Sequence, residues 1–415
     1  MCTARTTGTE RGVPMELLQT ILLILSLAMK VFTLYFAAVA VFALTKRRRY
    51  PRAAPQIRFA IVIAARNEES VIGNLVYSIL RQDYPQELRD VYVVPNNCTD
   101  FTEAAASAAG AEILPCLGPV SSKGDVLHQA FAQLRDRGYD AFLVFDADNV
   151  LEPDYLARMN DAFADGAMVC KSRTRAGNPS ASGVAGCYGL YNVIFDLIWN
   201  RPRAACGLSA KLVGTGFGFR QEVLEALDGW NTTTIAEDAE FAAQCARAGF
   251  RVSWVPDAIN YDEEPTSFRL SLRQRHRWCS GVMQVAKRTL GGLWQNGVPR
   301  PMLRWDITMF LAAPFTQAVS GLLLLCGLLT GLAAGTGVTV MLCSLGLYCV
   351  GGMALGVALT LLGGYALQDM TRSILLFPVF MASWLPLQII SLFHDSTQWR
   401  QVAHHGQKSH VREAA

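Results

Sequence analysis

Three hydrophobic regimes follow one another along this chain. From Met15 to Leu44 almost every position is apolar, broken only by polar or charged residues such as Gln19, Thr20 and Lys30. From about Arg58 to Thr289 short β-branched runs alternate with amphipathic stretches, and from about Trp305 to Phe393 the chain is again nearly all apolar. The outer regimes have the length and composition of lipid-spanning helices. The middle regime has the alternation of an α/β domain.

The first block predicts a membrane anchor over 15–45, since a cleaved leader has an apolar core of only about 7–15 residues. Lys46-Arg47-Arg48-Arg49 follows at once, with Arg52 and Arg58 behind it. The positive-inside rule puts that end, and the domain after it, in the cytoplasm. The last block divides at Gly331–Gly337 and Gly363–Ser373 into three candidate spans: Trp305–Leu329, Val338–Leu362 and Ile374–Phe393. The first loop lacks Lys and Arg and reads as external; the second carries Arg372 and reads as internal. A third crossing would leave the tail outside, whereas Arg400, Lys408 and Arg412 favour the inside. Pro378 and Pro386 also allow a re-entrant or interfacial piece. The expected organisation is a tail 1–14, an anchor 15–45, a globular domain 46–265, an interfacial region 266–300, two or three spanning or re-entrant helices 303–394 and a tail 395–415.

Within the middle regime, Phe59–Ala64, Val91–Val94 and Ala141–Phe145 read as strands buried on both faces. Helical periodicity follows at Val71, Leu75 and Ile79, from Asp125 to Arg137, and from Pro153, a residue suited to a first helical turn. This order predicts a mainly parallel sheet, in which ligands bind beyond the C-terminal strand ends. The residues just after the strands are therefore the ones that matter.

Asp146-Ala147-Asp148-Asn149 directly follows the third strand. Two carboxylates spaced by one residue suit a hard divalent cation; the same tetrapeptide also suits a solvated turn. Ala65-Arg66-Asn67-Glu68 and Asn96–Asp100 follow the other two strands. Their side chains can meet a base and ribose, or simply form turns. Lys123 beside Gly124 precedes a helix, where a lysine can approach a diphosphate; a loop lysine is otherwise solvated. Gly214-Thr215-Gly216 allows close approach of backbone to ligand or a plain tight turn. Glu237-Asp238 opens a helix, a place acids favour on dipole grounds alone. It is also a place for a general base.

Arg269, Arg273 and Arg277 fall on one helical face, with Phe268 and Leu272 beside them, the pattern of an interfacial amphipathic helix. Gln274, Arg277 and Trp278 combine amide, guanidinium and indole, which suit phosphate and sugar. Arg275 and His276 read as spacers facing head groups or solvent.

Composition sharpens this picture. Apolar residues make up 51% and charged residues 17%, the balance of a partly lipid-embedded chain. The net charge of +3 is too small to point to nucleic acid, and its basic residues cluster beside apolar segments. Eleven cysteines form no C-x-x-C pair or zinc spacing and fit a reduced compartment.

Taken in order, D-A-D, then E-D, then Q-x-x-R-W between membrane anchors resembles the processive membrane branch of glycosyltransferase family 2, which includes cellulose, hyaluronan and poly-N-acetylglucosamine synthases. The resemblance covers about Arg58 to Gly281. It implies a GT-A fold, a UDP-sugar or other nucleotide-sugar donor, Mg2+ or Mn2+, and inversion at the anomeric carbon. It makes Ala65, Arg66, Glu68, Asn96, Lys123 and Asp146 donor contacts and Asp148 the metal ligand. Asp238, with Glu237, becomes the catalytic base. Gly214, Thr215, Gly216, Gln274, Arg277 and Trp278 come to hold the acceptor and diphosphate. Two positions depart from the pattern: Asn96 stands where Asp is usual, and Ala236 where Thr is usual. The tail Trp399–Gly406 also resembles cytoplasmic tails. The implied enzyme is an integral membrane protein of the bacterial plasma membrane with its catalytic domain in the cytoplasm. It would extend a polysaccharide, with accessory export or membrane subunits as possible partners. The alternatives are a single transfer to a polyprenyl phosphate or glycolipid and, in another class, an inactive scaffold.

Overall fold

A computed structural model describes residues 15–45, 49–295, 299–333, 335 and 337–395. The expected tails, Lys46–Arg48 and the basic residues Arg400, Lys408 and Arg412 lie outside the described residues.

Eight strands form one sheet: β1 (Phe59–Ala65), β2 (Arg89–Pro95), β3 (Glu112–Ile113), β4 (Ala141–Asp146), β5 (Val150–Leu151), β6 (Val169–Ala176), β7 (Phe217–Arg220) and β8 (Val252–Asp262). Their order is β3-β2-β1-β4-β7-β6-β8-β5. The half from β3 to β4 is parallel, as the apolar runs predict. Beyond β4 the sheet is mixed. β7 runs antiparallel to β4 and β6, β6 runs parallel to β8, and β5 is an antiparallel edge. This is the GT-A form of the Rossmann-like sheet, and the expected parallel pairing holds from β3 to β4 and again between β6 and β8, with β7 and β5 the antiparallel exceptions. The strands β6 to β8 carry polar residues such as Lys171, Ser172 and Asn260 that mask a buried-strand pattern.

The helices are α1 (Met15–Val41), α2 (Ile72–Leu80), α3 (Thr102–Ala108), α4 (Lys123–Leu134), α5 (Tyr155–Ala164), α6 (Gly183–Ile194), α7 (Arg201–Ala205), α8 (Gln221–Ala226), α9 (Glu237–Ala248), α10 (Phe268–Leu293), α11 (Pro301–Ala333), α12 (Gly337–Leu362), α13 (Leu367–Ala382) and α14 (Trp384–Phe393). Period-two alternation in β1 divides it between two cores. Ala60 and Val62 face the layer holding Leu127 and Phe131 of α4, Phe241 of α9 and Val285 of α10. Phe59, Ile61 and Ile63 face the layer holding Leu75 of α2 and Met159 of α5. Ser122 closes the start of α4 with a capping box to Asp125. Left-handed Gly249 (φ 85°) ends α9. Pro153 precedes rather than begins its helix, which starts at Tyr155.

Four segments are long and apolar enough to cross a membrane: Leu23–Leu44, Pro301–Leu329, Gly337–Leu362 and Leu367–Phe393. The last is not one rod, because α13 gives way to α14 at Ser383. Pro386 is accommodated in the first turn of α14, where no N–H partner is needed. The first turns of α11 are not free for lipid: Ile307 and Leu311 are buried in the sheet-side core. Arg203 of α7 grips Asp306 of α11 at 2.9 Å, and Tyr35 of α1 donates to the same carboxylate at 2.7 Å. The apolar helices α1 and α11 are thus fastened directly to the sheet-containing domain.

Candidate active site

Parallel register brings the ends of β1, β2 and β4 side by side, with Ala65 opposite Pro95 and Ala64 opposite Asp146. The segments after them share the rim of a cavity of about 1030 Å3. Arg66, Glu68, Asn96, Lys123, Asp146, Asp148, Gly214, Thr215, Glu237, Asp238, Gln274, Arg277 and Trp278 all line it. Ala65 and Gly216 do not. The Ala65 carbonyl is taken by the N–H and Nδ2 of Asn96, both at 2.9 Å. Asn96 thus also does the turn work open to it. Gly216 (φ 62°) lies behind the rim, where a Cβ would come within 2.4 Å of Ser172 Oγ and 2.6 Å of Asn260 Oδ1.

Lys123, the first residue of α4, is the hub. Its ammonium lies 2.5 Å from Asp146 Oδ1 and 3.4 Å from Glu237 Oε1, and it donates to the Gly214 carbonyl. Desolvation disfavours its charge, but Asp146 and Glu237 outweigh that and raise its pKa. Glu237 and Asp238 occupy the first turn of α9. Burial pushes Glu237 up to about 7 against the pull of Lys123. Burial also raises Asp238, whose carboxylate accepts the Ala239 N–H at 2.8 Å. A carboxyl raised in this way is a stronger base when ionised, which suits proton abstraction.

Three acidic side chains crowd Asp148. Glu68 is buried with Oε2 unpartnered, and burial followed by Asp148 and Asp146 pushes it up to about 9. Asp262 is raised well above the carboxylate range by burial, then by Asp148. Glu264 is pushed up to about 8, burial again leading. Asn149 ties the group together, donating to Asp262 at 2.9 Å and Asp148 at 3.3 Å while accepting from Asn260 at 2.6 Å. Among the described residues, no three His, Cys, Asp or Glu side chains converge enough to hold an ion by themselves. An oxygen-only set with one or two available carboxylates still fits a hard cation that completes its shell from diphosphate and water. The mutual repulsion of these acids is what such a cation relieves.

The Q-x-x-R-W segment lies on α10 as the periodicity predicts. Arg269 and Arg273 are exposed, and Arg277 is half-buried at the cavity with no hydrogen bond or ion pair to a described residue. Gln274 Oε1 accepts from Tyr188 Oη at 3.0 Å. Trp278 stacks against Trp384 at 6.3 Å between ring centres. The reading of Arg275 and His276 as outward spacers is wrong. Arg275 is fully buried, donates to Ser383 Oγ at 2.8 Å and the Phe380 carbonyl at 3.0 Å, and lies over the Phe380 ring. His276 is half-buried with Nε2 enclosed. One face of α10 meets α13 and α14, so its arginines do not share one environment.

Asp262, Glu264, Lys171 and Lys211 do not enter the sequence reading, and Asn149 enters it only as the last residue of the D-A-D-N tetrapeptide, without a role. The run Asp262-Glu263-Glu264 at the end of a strand was the available signal. The two lysines look ordinary until folding buries Lys171 and half-buries Lys211 against the cavity.

The model of glycosyltransferase-like family 2 matches residues 55–281. The chain belongs to that family. Its sheet-containing domain has the GT-A fold. A probable glycosyltransferase of Bacillus subtilis, YdaM, is 27% identical over 270 residues, covering 62% of each chain. A β-monoglucosyldiacylglycerol synthase of Synechocystis is 27% identical over 239 residues, covering 55% of this chain and 49% of its own. The matched part is thus only about half to three-fifths of these relatives' length. Among solved structures, the mannosyltransferase PcManGT of Pyrobaculum calidifontis, in complex with GDP-Man and Mn2+, superposes with TM-score 0.62 at 18% identity. That match covers 91% of this chain and all of the other. It speaks for the fold.

Proposed function

We propose that this glycosyltransferase moves a sugar from a nucleotide sugar, UDP-linked in the first instance, to a membrane lipid, with inversion at the anomeric carbon. The observation that carries the reading is the continuity of the cavity. One end is lined by Asp148, Lys123 and Asp238; the other by Phe310 and Pro314 of α11 and Trp384 and Leu385 of α14. A polar pair, Gln388 donating to Gln317, sits in the wall between the apolar helices. A lipid whose tails enter between α11 and α14 would present its hydroxyl to Asp238. The similarity to a β-monoglucosyldiacylglycerol synthase points the same way.

In this mechanism Asp238 takes the proton of the attacking hydroxyl, help typically worth about 10²–10⁴ in rate. Lys123 and Arg277 neutralise the departing nucleoside diphosphate. Arg66, Glu68 and Asn96 border the nucleoside, and Gln274 and Trp278 the acceptor side. Asp148, with Asp146 beside it, would hold Mg2+ or Mn2+, which supplies charge neutralisation at the diphosphate. The expected placement is the bacterial plasma membrane with the catalytic domain on the cytoplasmic side.

Extension of a polysaccharide is the second reading. Trp278 at the cavity favours it, as does similarity to glucomannan 4-β-mannosyltransferases, 24% identical over 180 residues in one case. The full chain in lipid nanodiscs, given a panel of nucleotide sugars with Mn2+ and analysed by mass spectrometry, separates the two. A single glycolipid supports the first reading; a ladder of long glycans with no glycolipid overturns it. Full activity of both Asp238→Asn and Asp148→Ala would overturn the enzyme assignment of these residues.

A further inference from the structure

Lys211 is a cation the mechanism does not use. It lines the same cavity, between the catalytic carboxylates and the apolar end. Its backbone is fixed by its N–H, which donates to Asn200 Oδ1 at 3.0 Å. Asn200 belongs to a π-helical segment, Phe195–Asn200, that follows α6. The ammonium lies 3.8 Å from the Phe195 ring centre and 5.8 Å from that of Phe310 on α11. Among the described residues Nζ makes no hydrogen bond and no ion pair. Burial leads the effects on it and pushes it down to about 8, against the pull of Asp238.

Lys211 is half-buried, and an ammonium drawn out of bulk water ordinarily has a hydrogen-bonded counter-ion, because desolvating an unpaired charge is costly. Ring faces return only about 2 kcal/mol of that even when desolvated. Lys123 shows the usual solution in the same cavity, with two carboxylates against one ammonium. Lys211 faces open cavity instead, at the level where α11 begins to form the wall. The space beside it is therefore suited to an anionic oxygen group on whatever enters from the lipid side. The donor's diphosphate has its own cations in Lys123 and Arg277.

We infer that the acceptor is a phosphate-bearing lipid whose phosphate pairs with Lys211 in the cavity between the Phe195–Asn200 segment and α11. This rests on the lipid reading above and narrows it. Two sources share that chemistry. In a polyprenyl phosphate, a phosphate oxygen attacks the anomeric carbon as its bond to the nucleoside diphosphate breaks, and no proton moves. In a phosphoglycerol lipid, the glycerol hydroxyl attacks and its proton passes to Asp238.

The test uses the full chain in phosphatidylcholine nanodiscs with three acceptors: diacylglycerol, phosphatidylglycerol and a polyprenyl phosphate. The wild type is expected to favour a phosphate-bearing acceptor over diacylglycerol by about tenfold or more in kcat/KM, the scale of a hydrogen bond to a charged group. Lys211→Met should bring that ratio close to one, and Lys211→Arg should keep it. Donor binding by calorimetry confirms that each variant is folded. Which of the two phosphate-bearing acceptors carries the preference separates the sources. A wild-type preference for diacylglycerol overturns the inference and leaves the lipid reading standing. So does an unchanged ratio in Lys211→Met, or an effect confined to the donor KM. Transfer to no lipid overturns both.

Discussion

Lys123 Nζ lies 2.5 Å from Asp146 Oδ1, tying the start of α4 to the end of β4 at the centre of the carboxylate cluster. The same ammonium stands 3.4 Å from Glu237. A single cation thus holds together the end of β4 and the first turn of α9. Lys123→Met should lower kcat/KM by about 10²-fold or more, the scale of removing one preorganised electrostatic contact. It should also lower the melting temperature, because a buried acid loses its partner. Steady-state kinetics with thermal unfolding in detergent checks both; wild-type kinetics in a stable variant would remove Lys123 from the site.

Asp238→Asn keeps the shape of the side chain and its bond to the Ala239 N–H while removing the base. Turnover on a hydroxyl acceptor should fall about 10²–10⁴-fold. The donor KM should stay near the wild-type value, since Lys123 and Arg277 remain. A comparable rise in donor KM would place Asp238 on the donor instead.

Much of this site was legible in the chain because parallel strands put chemistry directly after apolar runs. β1, β2 and β4 are buried on both faces and read as such, so Glu68, Asn96 and Asp146 could be placed at one rim. β6 and β8 were silent for the opposite reason. Lys171, Ser172 and Asn260 point into a polar interior whose hydrogen bonds exist only after folding, as when Ser172 Oγ donates to Asn260 Oδ1 at 2.7 Å. Arg275 was misread because periodicity gives the face of a helix but not what covers it. The cover comes from α13 and α14, more than a hundred residues further on, as its bond to the Phe380 carbonyl (105 residues away) shows.

Arg275 and Arg277 should therefore fail in different ways. Arg275→Ala removes the guanidinium that donates to both the Phe380 carbonyl and Ser383 Oγ, leaves the Ser383 hydroxyl as that carbonyl's remaining donor, and opens a void beside Trp384, the ring on which Trp278 stacks. A loss of about 2–3 kcal/mol is expected, read as a lower melting temperature and faster proteolysis near Ser383. Arg277→Ala breaks no hydrogen bond to a described residue and should leave melting near wild type while raising the donor KM or lowering turnover. If both variants melt like the wild type, Arg275 does not clamp these helices.

Lys171 offers a test by pH. Its side chain is 2% exposed on β6, donates to Thr174 Oγ1 at 2.9 Å and to the Ser172 carbonyl at 3.0 Å, and makes no ion pair with a described residue. Burial leads the effects on it and pushes its pKa down to about 7, against the pull of Asp196, Asp262 and Asp238. Between that value and the ordinary lysine range the unfolded chain binds the proton and the folded chain does not. Stability should therefore rise with pH through this window, by up to about 1.4 kcal/mol per pH unit. Below pH 7 both states are protonated and the contribution is flat. Lys171→Met removes the titration, so melting temperatures from pH 7 to 9.5 should climb less steeply in the variant than in the wild type. The comparison of slopes isolates Lys171 from other groups titrating in the same range, Lys211 among them. Equal slopes would mean that Lys171 keeps its proton in the folded protein.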